Sequence, residues 1–401
     1  RSYLSANAYA NTETTDLWDA IEAASGEPVR RIMDSWIFQG GFPVITVELF
    51  NDGSTVRFSQ QRLGYLGDLG EGDPLPEPSD DEPGPLWSVP LIFSQRSSRD
   101  GVVTFEKVLL EGPWIDVELV EPVEWLLANT EGTGFYRVRY APDLLAALVA
   151  HAHRDLSAIE RYGLVDDVWA GVLTGDMSAH DFLDLADAFA AETDLSVWQR
   201  LVAGLGAVDR LVDGDAREVL RARVRELVAG AMARLGDQPL QGESDRDRAL
   251  RGVLFEALGT LGHDPGALDR ARALLGGEEA PDPALLASAV NVVAASGTAA
   301  DFDEFVARMK SAANPQEEQR YLYALADFPH ADLARRLLAM SITDEIRTQN
   351  ASLLLRSLAH GHMTSFEWSL AELASVPHHR TWLMIHDAGP LGPIGCGCGA
   401  R

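Results

Sequence analysis

A change of hydrophobic period near residue 140 constrains this chain more than any other feature. Between residues 43 and 140, apolar and polar residues alternate in short runs, the period of half-buried strands. Val44 to Leu49 leads into Asn51-Asp52-Gly53-Ser54, and Thr55 to Phe58 resumes the alternation, which predicts a hairpin with Asp-Gly turn chemistry. Leu86 to Phe93, Val102 to Leu110, Ile115 to Val120 and Phe135 to Tyr140 supply further strands. No helical pattern separates them, so the expectation is an antiparallel β-sandwich. The loop over residues 67–85, rich in Gly, Pro, Asp and Glu and without a basic residue, reads as a solvated flexible loop, with an acidic recognition loop as the alternative.

From residue 141 to about 376 the period is 3.6. Pro142 stands at a first-turn position before Leu144, Leu145, Leu148 and Val149, where its missing N–H costs nothing. Trp198, Leu201, Val202, Leu205 and Val208 form one apolar stripe, and Leu220, Val224, Leu227, Val228, Ala231 and Leu235 another. Asn314-Pro315-Gln316-Glu317 reads as a capping box. Short helices joined by Gly, Pro and Asp turns, without a strict repeat, predict a large all-α superhelical domain of the HEAT or armadillo kind, a solenoid of stacked helix pairs. Residues 1–40 hold two shorter helical stripes, Leu17, Ile21, Ala24 and then Val29, Ile32, Met33, Trp36, Ile37, ended by Gly26 and by Gly40-Gly41. The fold class is therefore mixed. The expected divisions are a short helical N-terminal remnant over 1–42, the sandwich over 43–140, the helical domain over 141–376, and an irregular Gly/Pro-rich tail over 377–401.

Charge and composition exclude several function classes. With 33 basic and 61 acidic residues the 401-residue chain carries a net charge of −28, a field that repels phosphate backbones and argues against nucleic acid as a partner. Of the basic residues only Lys107 and Lys310 are lysines, a bias that fits a GC-rich bacterial genome. Cys396 and Cys398 are the two cysteines, so a disulfide framework is excluded. No run of 18 or more apolar residues is present, which argues against a membrane span, and the expected location is cytoplasmic. Arg1-Ser2-Tyr3-Leu4 has neither Met nor a signal-peptide pattern and reads as a cut inside a longer protein.

The residues themselves display no active site. A zinc peptidase needs two neutral histidines one helical turn apart with a Glu as base, which His-Glu-x-x-His delivers from one helix face. Among the ten histidines, His151 and His153 are two apart, His360 and His362 straddle a predicted helix end, His378 and His379 are adjacent, and His180, His263, His330 and His386 stand alone. All read as solvated or capping side chains. Cys396-Gly397-Cys398 is two ligands short of a tetrahedral site. Gly-x-Ser-x-Gly, Gly-x-Gly-x-x-Gly and the P-loop pattern are absent.

Several ordered stretches nevertheless resemble the C-terminal part of the aminopeptidase N family of zinc metallopeptidases. Tyr3-Leu4, Ala8-Tyr9-Ala10-Asn11-Thr12 and Thr15-Asp16-Leu17-Trp18 resemble the end of that family's catalytic domain. Met33-Asp34-Ser35-Trp36 and Gln39-Gly40-Gly41-Phe42-Pro43-Val44 resemble its junction into the sandwich. Asn129, Gly132-Thr133-Gly134-Phe135-Tyr136-Arg137-Val138-Arg139-Tyr140 and Arg161-Tyr162-Gly163-Leu164-Val165-Asp166-Asp167 resemble the passage into the helices. Asn314 to Leu322 and Ile346-Arg347-Thr348-Gln349-Asn350 resemble the far end of the helical domain. The matches run from residue 1 to about 355 and are lost after Ser365.

The resemblance implies an enzyme that removes single N-terminal residues from peptides with one zinc ion. It implies equally that the zinc ligands, the base, the amine-binding motif and the catalytic Tyr all lie before Arg1. No catalytic or metal role falls on this chain, and no cofactor is expected in it. The sandwich becomes a spacer, the helical domain a cap that limits substrate access, and residues 1–40 the surface on which a catalytic domain packs. Trp18 and Trp36 read as core. Tyr136, Arg137 and Tyr140 read as interface packing and hydrogen bonding, with substrate contact as the alternative, and Asp166 and Asp167 as ion-pair partners. Arg320 and Arg347 are the candidate substrate-binding residues, since an inward guanidinium can hold a peptide's terminal carboxylate bidentately; structural salt bridges are the competing reading. Two rivals to the whole assignment are a stand-alone helical-repeat interaction module and a hydrolase with an unrecognised carboxylate pair.

Overall fold

The computed structural model describes residues 1–64, 84–119, 122–277 and 282–360. Most of the acidic loop, the histidines beyond His360, both cysteines and the tail lie outside the described residues. The chain divides into two compact units, Arg1–Gly204 and Leu205–Arg401.

The first unit opens with three helices, α1 (Ser2–Ala6), α2 (Thr14–Ser25) and α3 (Val29–Ile37). Gly26 ends α2 in the left-handed conformation at φ 77°, which a residue without Cβ adopts freely. None of these three helices has a buried residue. Trp36 packs against Trp87 and Phe135, and Trp18 is half-buried rather than core.

Seven strands follow: β1 (Pro43–Phe50), β2 (Thr55–Arg62), β3 (Val89–Ser97), β4 (Val103–Leu110), β5 (Trp114–Glu118), β6 (Val123–Leu127) and β7 (Arg137–Tyr140). They form a four-stranded sheet, β5-β2-β1-β7, and a three-stranded sheet, β4-β3-β6. The predicted hairpin is present, with Phe50 opposite Thr55, and Asn51, Asp52 and Gly53 all at positive φ. One expectation is corrected. The sandwich is not purely antiparallel, because β7 pairs with β1 in parallel, Val44 opposite Arg137 and Thr46 opposite Arg139. A parallel pair needs a long connection, and here five other strands intervene. Ile45, Val47, Val56 and Phe58 of the first sheet share one core with Val89, Leu91, Phe93 and Leu126 of the second, and the Phe58 and Phe93 rings meet at 5.0 Å.

Helices then take over: α4 (Pro142–Asp155), α5 (Ala158–Thr174), α6 (Ala179–Ala188) and α7 (Leu195–Asp209), the last spanning the division between units. The second unit continues with α8 (Gly214–Leu235), α9 (Asp245–Thr260), α10 (Pro265–Gly276), α11 (Pro283–Ala295), α12 (Ala299–Ser311), α13 (Pro315–Ala324), α14 (Ala331–Ser341) and α15 (Thr348–His360). Proline opens α4, α10, α11 and α13. Asn314 caps α13 by accepting from Glu317 N at 2.9 Å, but Glu317 returns to Ala313 N rather than to the cap residue, so the capping box is displaced by one position. The second unit's core runs from Phe255 through α11 and α12 to Leu358. One tight seam joins α9 to α11, where a Cβ on Gly259 would stand 2.5 Å from the Val292 methyls.

Candidate functional site

Two of the stretches that carry the family resemblance, Asn129 to Tyr140 and Arg161 to Asp167, meet where β7 joins the helices of the first unit. The Asn129–Gly134 turn prepares the strand. Asn129 accepts from Gly134 N at 2.8 Å and donates back to Gly134 O at 3.1 Å. Gly134 admits no side chain, because a Cβ would fall 2.0 Å from the Tyr136 ring. Tyr136 Oη donates to Ala128 O at 2.8 Å, and Ala128 N donates to Tyr140 Oη at 3.0 Å. The two phenols thus bracket one residue, Ala128, at the end of β6. Burial pushes both hydroxyls well above the usual phenol range. Tyr136, Arg137 and Tyr140 therefore pack and bond at the junction, as their position in the sequence predicts.

Alternation along β7 places Arg137 and Arg139 on the same face of the sheet, away from the sandwich core. Each meets an acid from the helical side. Arg137 donates to Asp166 on α5, and Arg139 to Asp176 just beyond it. Asp166 also accepts from Arg200 Nε on α7 at 2.6 Å, and that guanidinium lies 5.5 Å from the Trp169 ring centre. Asp166 therefore joins strand and helix through two arginines. Arg161 takes no part, because it reaches Glu192 instead, with Nε–Oε2 2.6 Å and Nη2–Oε1 2.9 Å. Glu192 is fully buried, and the Thr193 and Asp194 amides also donate to it.

Asp167 is the exception in this network. Its side chain is only 10% exposed, yet its nearest guanidinium nitrogen, Arg137 Nη1, stands 3.7 Å away. Burial raises its carboxyl to about 8, opposed mainly by Arg137. Two cavities flank it. One, of about 650 Å³, lies between the outer face of β1 and β7 and helices α4 to α6. The other, of about 250 Å³, is lined by aromatic rings including Phe42, Phe135, Tyr136 and Tyr162.

A second charged cluster fastens α4 to the other sheet. Trp125 Nε1 donates to Asp155 at 2.9 Å, Arg96 pairs with Glu124 at 2.7 Å, and the His151 ring sits between Asp155 (3.3 Å) and Glu124 (3.4 Å). The hydrogen bond from Arg154, then burial working against it, and the Trp125 bond hold the Asp155 carboxyl down at about 2. His151 thus sits among charged side chains at a helix–sheet contact, only 17% exposed, rather than in open solvent.

The predicted substrate-binding arginines belong to the second unit. Arg320 is half-buried on α13. Arg347, just before α15, reaches Glu318 on α13 at 3.2 Å and remains 63% exposed. Zinc is the group that the family resemblance implies, and the described residues offer no ligand set that fits it. Among the described residues no three His, Cys, Asp or Glu side chains come together as metal ligands, and the sequence holds no His-Glu-x-x-His. Among them also, no helix is long and apolar enough to cross a membrane.

Comparison with known proteins gives these observations a family. Over 395 residues the chain is 29% identical to Aminopeptidase M1 of Arabidopsis thaliana, a match covering 92% of this chain and 43% of that protein. Puromycin-sensitive aminopeptidase of Caenorhabditis elegans is 27% identical over 374 residues, covering 90% and 38%. Tricorn protease-interacting factor F2 of Thermoplasma acidophilum is 29% identical over 290 residues, covering 71% and 32%. The chain thus spans less than half the length of these relatives. The sequence profile of the ERAP1-like C-terminal domain matches residues 125–377, more than half of the chain and the whole passage from β6 through the helices. The chain belongs to the ERAP1-like C-terminal domain family and corresponds to a C-terminal portion of the aminopeptidases it resembles.

Proposed function

We propose that this chain is the non-catalytic C-terminal portion of a zinc aminopeptidase that removes N-terminal residues from peptides. The observation that carries this reading is the coverage. Relatives named as aminopeptidases match nearly the whole chain in order, while the chain accounts for under half of them. Residues 1–42 are then the end of a catalytic domain, residues 43–140 the sandwich that spaces it, and residues 141–376 a solenoid that caps the active site and limits substrate size, in a cytoplasmic enzyme. The catalytic part packs on α1 to α3. Those helices hold no fully buried residue, and Leu4, Ile37 and Phe38 are exposed on or beside them, apolar exposure of the kind that an interface covers. A free-standing interaction module would have no reason to leave that face bare.

Within the cap, Arg320 and Arg347 bind the terminal carboxylate of a peptide. Arg320 lies on α13 and Arg347 just before α15, and Arg347 pairs with Glu318 of α13.

The test is to read the coding sequence upstream of Arg1 and to assay two proteins on N-terminal aminoacyl substrates. The present chain should release no amino acid. The protein extended through an upstream His-Glu-x-x-His should do so, with rates that fall as the peptide becomes a folded protein. An upstream frame without that motif would overturn the reading.

A further inference from the structure

The 650 Å³ cavity of the first unit combines features that none of the foregoing uses. It is within the size range of small-molecule sites. Val44, Leu145 and Val149 give it apolar walls, and its polar lining is five carboxylates against two guanidiniums, Arg137 and Arg139. Both guanidiniums have carboxylate partners, Asp166 and Asp176. Asp167 lines the same cavity, nine-tenths buried, and its closest cationic atom is the 3.7 Å Arg137 nitrogen whose short bond goes to Asp166. A buried carboxyl facing a cavity with apolar walls and an excess of carboxylates, its nearest cation already shared, is arranged for a positive charge that arrives from outside.

We propose that this cavity binds an organic cation, with a primary ammonium group against Asp167 and an aliphatic tail along Val44, Leu145 and Val149. Branched or straight tails of a few carbons fit the volume. The proposal is independent of the peptidase reading, since every residue in it belongs to this chain.

Charge balance gives the proposal a signature. The groups around Asp167 are Arg137 and the Tyr136 and Tyr140 hydroxyls from β7 and Asp166 beside it on α5. Glu48 from β1, Arg139 from β7, Asp176 after α5, and Asp181 and Asp184 from α6 line the same cavity. Without a ligand, burial keeps Asp167 protonated at neutral pH. An ammonium group arriving as a cation displaces that proton, which leaves to solvent, and the pair that forms is carboxylate and ammonium.

The experiment is calorimetric titration of the chain with isopentylamine at pH 7, repeated in two buffers of different protonation enthalpy. The expected result is saturable binding with proton release. 3-Methylbutan-1-ol, similar in shape but uncharged, should bind at least about tenfold more weakly, a difference of about 1.4 kcal/mol. Asp167→Asn should lose the amine preference and the released proton. Because that variant alters a buried group, Ala146→Trp provides a second arm. Ala146 is exposed at the cavity lining, so the indole should block binding and leave the unfolding temperature in place. Equal binding of the alcohol, unchanged amine binding in either variant, or no amine binding up to about 10 mM would overturn the proposal.

Discussion

Arg137, in the last strand of the sandwich, donates to Asp166 in the second helix that follows it, 29 residues along the chain. Arg200 approaches the other oxygen of the same carboxylate, so strand and helices share one anion. The side chains involved are between 13% and 31% exposed. Removing the shared anion leaves two guanidiniums facing each other in a partly buried place. Asp166→Ala should therefore destabilise the first unit by about 2–3 kcal/mol, read from the midpoint of urea unfolding. A loss below about 0.5 kcal/mol, the scale of an exposed pair, would mean that the arginines find other partners.

Asp167 has the opposite sign. Its carboxyl is raised to about 8 in the folded chain, against an ordinary value near 4. The folded state therefore holds a proton that the unfolded state has lost, and stability falls as pH rises from about 4 to about 8. Asp167→Asn removes that dependence. The variant should gain on the native protein steadily between pH 4 and pH 8 in urea titrations. A constant offset across that range would contradict the assignment.

Asp155 behaves in the usual direction for a carboxylate. It is held at about 2, so its contribution is present above pH 4 and is lost as pH falls towards 2. Asp155→Asn should cost about 1–2 kcal/mol at pH 7, with the screening of a partly exposed partner taken into account. The difference should vanish near pH 2. Tryptophan fluorescence gives a parallel readout, because Trp125 loses its charged acceptor.

In the second unit the prediction is steric. Gly259 of α9 faces Val292 of α11 with no space for a methyl group. Gly259→Ala should cost about 1–3 kcal/mol through overpacking, despite the gain of about 1 kcal/mol that alanine brings to a helix. Gly230, on the face of α8 where a Cβ meets nothing, is the control, and Gly230→Ala should be neutral or stabilising. If both variants behave alike, the seam is looser than its geometry.

For the proposed carboxylate-binding role of Arg320 and Arg347, the readout is kinetic and uses the extended enzyme. Arg320→Ala and Arg347→Ala should each raise KM for peptides with a free C-terminus by about tenfold, the effect of losing one charge-assisted contact. Amidated peptides should respond little. Equal effects on both substrates would make Arg347 the structural partner of Glu318 and nothing more.

The legible part of the sequence was whatever depends on neighbours a few positions apart. The change of period at residue 140 separates strands from helices, Asn51-Asp52-Gly53 turns the first hairpin, and Pro142 and Pro315 open their helices. Each is decided by local backbone geometry. β6 escaped for a physical reason. Trp125, Leu126 and Leu127 are all buried, because a sheet lies beside the strand and α4 behind it, and a strand covered on both faces does not alternate.

What the sequence by itself determined is the order of strand and helix, the family and the absence of a zinc motif. Tertiary structure decided the rest. Parallel pairing of β7 with β1, the choice of Asp166 rather than Asp167 as the short partner of Arg137, the pairing of Arg161 with Glu192, and the cavity beside Asp167 all join residues far apart in the chain. Local propensity carries no information about such contacts. A carboxylate's protonation follows from how much water the fold removes and where it leaves the nearest guanidinium, and two adjacent aspartates, alike in sequence, were separated by that alone.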